Sequence, residues 1–370
     1  VNAADLSAIG GSTTATVTLT NAVNITGTVA DINAALVTAE TKVILVGDSN
    51  VTVRDVDETS DLSGVNPSGG VTALIEADRD ITANVNLGNV DTYTVSSGFT
   101  LTALASQMTG LTVNGAGTGN IAVTALHLTP AANLSGLSSL SGTVTAAFDG
   151  NGTFTGTLGG AVVTVGDGFT MTAAANVVAG QEINRDSTGV LAVTIGTADA
   201  NVNLTTITGT AIDSVTVMEN VNFTGTLFRF LPTTINQNVT LEITAAKITG
   251  LTINGDGALI VKALAANTNL ENVNPGGGVT AHIEANRDIT ANANLGNVDT
   301  YVVSSGFTLT ATGAQLNGKT VSGDGIVIVT GVTAEHNLDN INPSGGVTIT
   351  SADGSDLTGG GDLSTTVTYT

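Results

Sequence analysis

The segment DITANVNLGNVDTYTVSSGFTLTA, Asp80 to Ala103, returns as DITANANLGNVDTYVVSSGFTLTA from Asp288 to Ala311. The copies lie 208 positions apart and differ only at Val85 and Thr94, which become Ala293 and Val302. Near-identity at that distance points to a repeated architectural unit, and three anchors give its length. Phe99 in GFTLTA is followed in phase by Phe169, Val239 and Phe307. Leu62, Leu134, Leu204, Leu270 and Leu338 stand in five related motifs, from DLSGVNPSGGVT to NLDNINPSGGVT. GLTVNGAG, GLTINGDG and GKTVSGDG, from Gly110, Gly250 and Gly318, keep the same phase. The module is therefore about 70 residues, and 208 is three modules.

Within a module, shorter patterns alternate with period two. DTYTV and FTLTA place Tyr93, Val95, Phe99, Leu101 and Ala103 on one side. ITANVNL reads likewise, with Ile81, Ala83, Val85 and Leu87 inward. Alternation over four to seven residues marks half-buried strands. The turn signals LGN, SSG, NGAG and NPSGG separate them. Leu74 becomes His282 and Thr94 becomes Val302 while their inward neighbours persist, which assigns those positions to solvent; Val85→Ala is the inward exception. Strands recur about every 10 residues, too closely for helices between them.

Only 3% of the residues are aromatic and none is Trp, so the core must be Val, Ile, Leu and Ala. These features predict an all-β chain, a parallel β-solenoid of about five modules with roughly three coils of about 22 residues each. The alternative is an array of small β-sandwich domains, but neither linkers nor long antiparallel strands are evident. Residues 61–370 read as the solenoid and 1–60 as an assembly or capping segment. In that segment Thr13–Thr20 predicts a strand, and DINAALVTAE predicts a helix capped by Asp31. LTALASQMTG and LTATGAQLNG each suit one helical turn.

Candidate chemistry is sparse. With 31 acidic and 9 basic residues the net charge is −22. Nothing basic is clustered for phosphates, which excludes nucleic acid. Cysteine is absent, removing disulfide and thiol chemistry. No apolar run is long enough for a membrane span, and no signal peptide is evident. Val1 in place of Met points to a processed chain or a piece of a longer one. His127, His282 and His336 occupy unrelated repeat positions, and no Ser/His/Asp grouping or G-x-S-x-G appears. NGAGTGN and NGDG read as coil turns rather than phosphate loops. Arg54, Arg79, Arg185, Arg229 and Arg287 are scattered; Arg79 and Arg287 are repeat equivalents and read as structural. TATVTLT has the Thr-x-Thr spacing of ice-binding solenoids, although Thr is ordinary in strands. The remaining ligand candidates are acidic turns, Asp55, Asp57 and Asp61 in RDVDETSD and Asp353, Asp356 and Asp362 in ADGSDLTGGGD. Carboxylates on flexible backbone suit Ca²⁺.

The run GFTLTA…QLNGKTVSGDGIVIVTGV…NLDNINPSGGVT resembles the repeats of large bacterial β-strand-repeat surface proteins, over roughly residues 61–370. That resemblance implies a secreted structural or adhesive protein, often exported without a cleaved signal and commonly associated with calcium. It transfers no site residues. The expectation is a non-enzymatic, extracellular β-solenoid that assembles with itself into a filament, sheath or surface layer. The rivals are a solenoid that binds or cleaves cell-surface polysaccharide and an adhesin stalk. Bare strands at both ends, residues 1–25 and 360–370, are expected to join copies head to tail.

Overall fold

The computed structural model describes all residues except 117, 139–140, 210–211, 230, 334, 352–366 and 370. The chain divides into two compact units. One comprises Val1–Ala173 with Gly180–Leu191 and Ile207–Ala211; the other comprises Ala174–Ala179, Ala192–Thr206 and Ile212–Thr370.

In the first unit, Asn24–Thr28, Asn50–Arg54, Val71–Ile75, Thr92–Ser96 and Thr112–Ala116 stack as one parallel sheet. A second sheet begins with Arg79–Asp80 and adds Thr100–Leu104, Asn120–Thr124, Val144–Phe148, Val162–Val165, Glu182–Arg185 and Thr208–Gly209. Successive rungs come from successive coils: Thr72 pairs with Thr92, and Thr92 with Thr112. Parallel neighbours require a crossover connection, which here is the remainder of the coil. This is a β-solenoid, and the uniformly parallel pairing excludes the array of antiparallel sandwiches.

The second unit repeats the scheme. Val221–Phe223, Thr240–Thr244, Ala258–Lys262, Val279–Ile283, Thr300–Val303 and Thr320–Ser322 form one parallel sheet. Arg287–Asp288, Thr308–Thr312, Ile326–Val332, Val347–Ser351 and Val367–Tyr369 form another. Short strands open these sheets at Arg79–Asp80, Val221–Phe223 and Arg287–Asp288, and Gly152–Phe154 opens a further parallel sheet by pairing with Thr170–Ala174. The 70-residue period is thus the chain length between the start of one sheet and the start of the next.

Alternation explains the cross-section. Val71, Ala73 and Ile75 are buried, while Thr72 and Leu74 face outward. In-register stacking lines up Val53, Ala73, Tyr93 and Val113 inside. Ala281, Tyr301 and Val321 do the same in the second unit. The small Ala beneath each ring leaves room for it, so large and small side chains interdigitate. His282 and Val302 lie on the outward parity, as the internal comparison implied.

Two further devices recur at the module period. Helical turns follow the GFTLTA-type strand at Ala105–Met108, Ala175–Val178, Ala245–Ile248 and Gly313–Leu316. Each buries its first and last residues, and each is followed by a glycine at positive φ: Gly110, Gly180, Gly250 and Gly318, at 76°, 75°, 75° and 69°. That backbone conformation is costly for residues bearing a Cβ. The second device is an Asx turn. Side-chain oxygens of Asp61, Asn133, Asn203, Asn269 and Asn337 each accept from the backbone N–H two residues on, at 2.9–3.1 Å. The Leu next to each is buried.

Three expectations need correction. ITANVNL is not a strand beyond Asp80: Asn84 is buried and Val85 is 88% exposed. Asn84 goes inside because its amide serves backbone carbonyls of the preceding coil. The helix near residue 31 spans Val29–Leu36, and its cap is Thr28, with Asp31 closing a capping box from the third helical position. The chain does not begin with a bare strand either. Helix Ala3–Gly11 packs on helix Val29–Leu36 and on strand Asn24–Thr28. Asn2 bridges Thr26, and the Val1 amine donates to the Asn24 carbonyl at 2.6 Å. Of Thr13–Thr20 only Val17–Thr18 is strand, paired with Val43–Ile44.

Candidate functional site

The predicted calcium residues are close in sequence but turned to different partners. Asp55 adopts a positive φ of 59° and faces the Arg79 guanidinium at 3.7 Å. Asp57 accepts from Thr59 Oγ1, Thr59 N and Ser60 Oγ at 2.8–3.0 Å. The Thr59 bonds foremost, then Ser60, hold its carboxyl below the usual carboxylate range. Asp61 accepts from Ser63 Oγ and Ser63 N, which lower it likewise. Hydrogen bonds to the ionised form cause such shifts. Among the described residues no group of three or more acidic or His side chains is gathered to hold a metal. Asp353, Asp356 and Asp362 lie outside the described residues.

Several other titratable groups make contacts within the fold. Asp80 with Thr82 and Asp288 with Thr290 make the same Asx contact as Asp61. Arg54 reaches Glu76 at 3.6 Å, and Lys262 reaches Glu242 at 2.7 Å across adjacent rungs. His127 Nδ1 sits 2.7 Å from Asp149, with its ring edge-on to Phe148. His336 Nδ1 accepts from Thr333 N. Thr333 Oγ1 also lies 3.4 Å from that nitrogen. The threonines do align, since Thr26, Thr52, Thr72, Thr92 and Thr112 stack in one file. The neighbouring file reads Thr28, Arg54, Leu74, Thr94 and Asn114, so a flat double row of hydroxyls is not formed.

What the sequence did not disclose is a surface groove made twice. In the first unit it is about 500 Å³, walled by Val85, Leu87, Leu104 and Leu111 with Tyr93 and Gln107 among its lining. In the second unit a groove of about 300 Å³ is lined by Asn292, Ala293, Leu295, Gly296, Tyr301, Ala314, Gln315 and Lys319. Every one of those eight residues lies 208 positions after a residue lining the first groove. The loop from the buried Ile81 or Ile289 to the Tyr is 12 residues in both copies. In the intervening modules Phe154 and Phe223 take the Ile position, and the loops to Val163 and Thr233 shorten to 9 and 10.

The groove's amides are occupied. Gln107 Nε2 donates to the Ile81 and Asn84 carbonyls at 2.7 Å, and its Oε1 accepts from Leu104 N. Gln315 repeats this with Ile289 and Asn292. Tyr93 and Tyr301 are each 1% exposed, and neither hydroxyl is a buried polar atom left without a hydrogen-bond partner; among the described side chains that atom is His127 Nδ1. The near-identical segments thus preserve a stapled loop and the hollow beside it. The sequence signal was the conservation of NLGNVDTY between two modules, against its loss in the two between.

Searches against known protein families, curated proteins and solved structures find no match to this chain. No helix among the described residues is long and apolar enough to cross a membrane.

Proposed function

We propose that this is a non-enzymatic, extracellular structural protein whose β-solenoid assembles with copies of itself into a filament, sheath or surface layer. The observation that carries the reading is what the recurring polar residues do. The five Asx residues order coil corners, and Asn84, Asn89, Gln107 and their counterparts Asn292, Asn297 and Gln315 bond the backbone of the preceding coil. Side chains that are repeated and hydrogen-bonded to backbone are suited to rigidity rather than to turnover.

The acidic surface and the resemblance to surface-protein repeats favour an exterior setting. Head-to-tail joining would use strand Val367–Tyr369, which pairs in parallel with Val347–Ser351, through strand addition between copies. Helix Ala3–Gly11 occupies the position where a matching bare strand was expected.

Electron microscopy of the purified chain tests the reading. Ordered filaments or sheets are expected. Isolated particles at every protein concentration would overturn it and favour a stalk that only spaces other domains.

A further inference from the structure

Although His127 Nδ1 is buried without a hydrogen-bond partner, it lies 2.7 Å from Asp149 Oδ1 in the following coil. The carboxylate is close to that nitrogen but out of line with it. The surroundings fit the ring. Gly150 leaves room for it, since a Cβ there would overlap His127 Cδ2, and Phe148 meets it edge-on with ring centroids 6.2 Å apart. The same place recurs 70 residues on without a histidine. There Thr197 N and Thr197 Oγ1 donate to Glu219 Oε2 at 2.9 and 3.0 Å. Each pair ties a short helical turn, Leu126–Leu128 or Thr197–Asp199, to the corner that follows a strand of the next coil, Val144–Phe148 or Ser214–Val217.

We infer that His127 and Asp149 form a pH-sensitive clamp between two coils, which tightens when the imidazole is protonated and slackens when it is neutral. With the ring protonated, the short Nδ1 to Oδ1 separation is a contact between opposite charges, which needs proximity more than alignment. In the neutral ring Nδ1 offers the carboxylate either a lone pair or an N–H aimed off its axis, and both are poorer. No other ionisable group competes for the ring. The elements packed on Leu126–Leu128 are Ala105–Met108, Val144–Phe148 and Gly152–Phe154. Their sequences, ASQM, VTAAF and GTF, hold no titratable side chain, which leaves Asp149 as the facing charge. Histidine is the side chain that ordinarily changes charge between about pH 5 and 8. The sign follows from the partner: the added stability is present at the acid end of that range, where imidazolium faces carboxylate, and is lost as rising pH neutralises the ring. The Thr197–Glu219 pair donates from a hydroxyl and a backbone N–H, so it holds across the same range.

Hydrogen–deuterium exchange of the full chain tests this, with each amide corrected for its intrinsic rate. Strands Val144–Phe148 and Gly152–Phe154 report on the His127 clamp, and Ser214–Val217 and Val221–Phe223 report on its counterpart. The imidazole is 21% exposed and the carboxylate 50%, so the effect is that of a partly solvated ion pair. Between about pH 5.5 and about pH 8 the first two strands should open about threefold more often, while the second two keep their protection. His127→Thr with Asp149→Glu installs the neighbouring module's pair and should remove the response. Asp149→Asn alone should remove it as well, which covers a double variant that does not fold. His282→Leu, the residue that its repeat equivalent Leu74 already supplies, should leave the response in place. Circular dichroism of each variant establishes that it is folded. A wild type whose two strand pairs respond alike to pH overturns the inference. So does a folded D149N that keeps the response, or a folded H282L that loses it.

Discussion

The side-chain amide of Asn84 donates to the Ser60 carbonyl at 2.8 Å, one coil earlier, and to the Asp57 carbonyl at the same distance. Its own oxygen accepts from Asn86 N at 2.7 Å. Asn292 does the same to Thr268, 208 residues later. A polar residue is buried here because it satisfies backbone groups that a coil corner leaves without ladder partners. Asn84→Ala should therefore cost about 2–3 kcal/mol, the usual range for orphaning buried polar groups. Asn84→Asp should cost as much, since a carboxylate cannot donate to a carbonyl. Urea unfolding of both variants checks this; midpoints equal to the wild type would contradict the staple.

The tyrosine rings fill the core while their hydroxyls contribute no internal bond. Tyr93→Phe should leave stability unchanged, whereas Tyr93→Ala should lose about 3–5 kcal/mol from the cavity. Desolvation pushes the phenols of Tyr93 and Tyr301 above the ordinary tyrosine range. The unfolded chain releases those protons near pH 10 while the folded chain retains them, so stability falls as pH rises past 10. Absorbance titration should show two of the three tyrosines ionising only with unfolding. Ionisation of all three in the ordinary range, with the fold intact, would contradict their burial.

Much of this architecture was legible in the chain, and the exceptions share a cause. The module phase follows from Phe99 and Leu62 and their counterparts, because stacking coils must return an apolar residue to the same place. The helical turn at Ala105–Met108 could be read from its context. Those at Ala175–Val178 and Ala245–Ile248 could not, since Val and Ile there mimic strand. ITANVNL misled because period two treats Asn84 as outward, although its hydrogen bonds draw it in and expel Val85. The groove draws on a loop and on the coil after it, and that proximity exists only once coils stack.

The four glycines after the helical turns test a shared backbone requirement. Gly110→Ala and Gly250→Ala should each lose about 1–2 kcal/mol, because φ near +75° crowds a Cβ against its own backbone. Space is not the obstacle, since nothing lies within 4 Å of either added carbon. Neutral substitutions would mean the turn takes another conformation.

Asp61 stands where four modules use Asn, and its contacts to Ser63 need only an acceptor oxygen. Asp61→Asn should lower the melting temperature only slightly near neutral pH, equally with or without millimolar-range Ca²⁺ added. A Ca²⁺-dependent rise in the wild type that vanishes in D61N would instead make Asp61 a ligand. In acid the carboxylates of Asp57, Asp61, Asp80 and Asp288, all held below their usual range, lend stability above the unfolded value near 4. That stability is lost as pH falls toward their folded values.

The register of the parallel coils is the claim on which the rest depends, and the absence of cysteine makes it directly measurable. Thr72 and Thr92 face outward on adjacent rungs and pair in register. At the rung spacing of about 4.8 Å their Cα atoms lie within disulfide range. Under mild oxidation Thr72→Cys with Thr92→Cys should form an intramolecular disulfide readily, and Thr280→Cys with Thr300→Cys should do the same. A Thr72→Cys that stays reduced opposite Thr92→Cys but cross-links to Thr94→Cys would shift every rung by two residues and contradict the fold described.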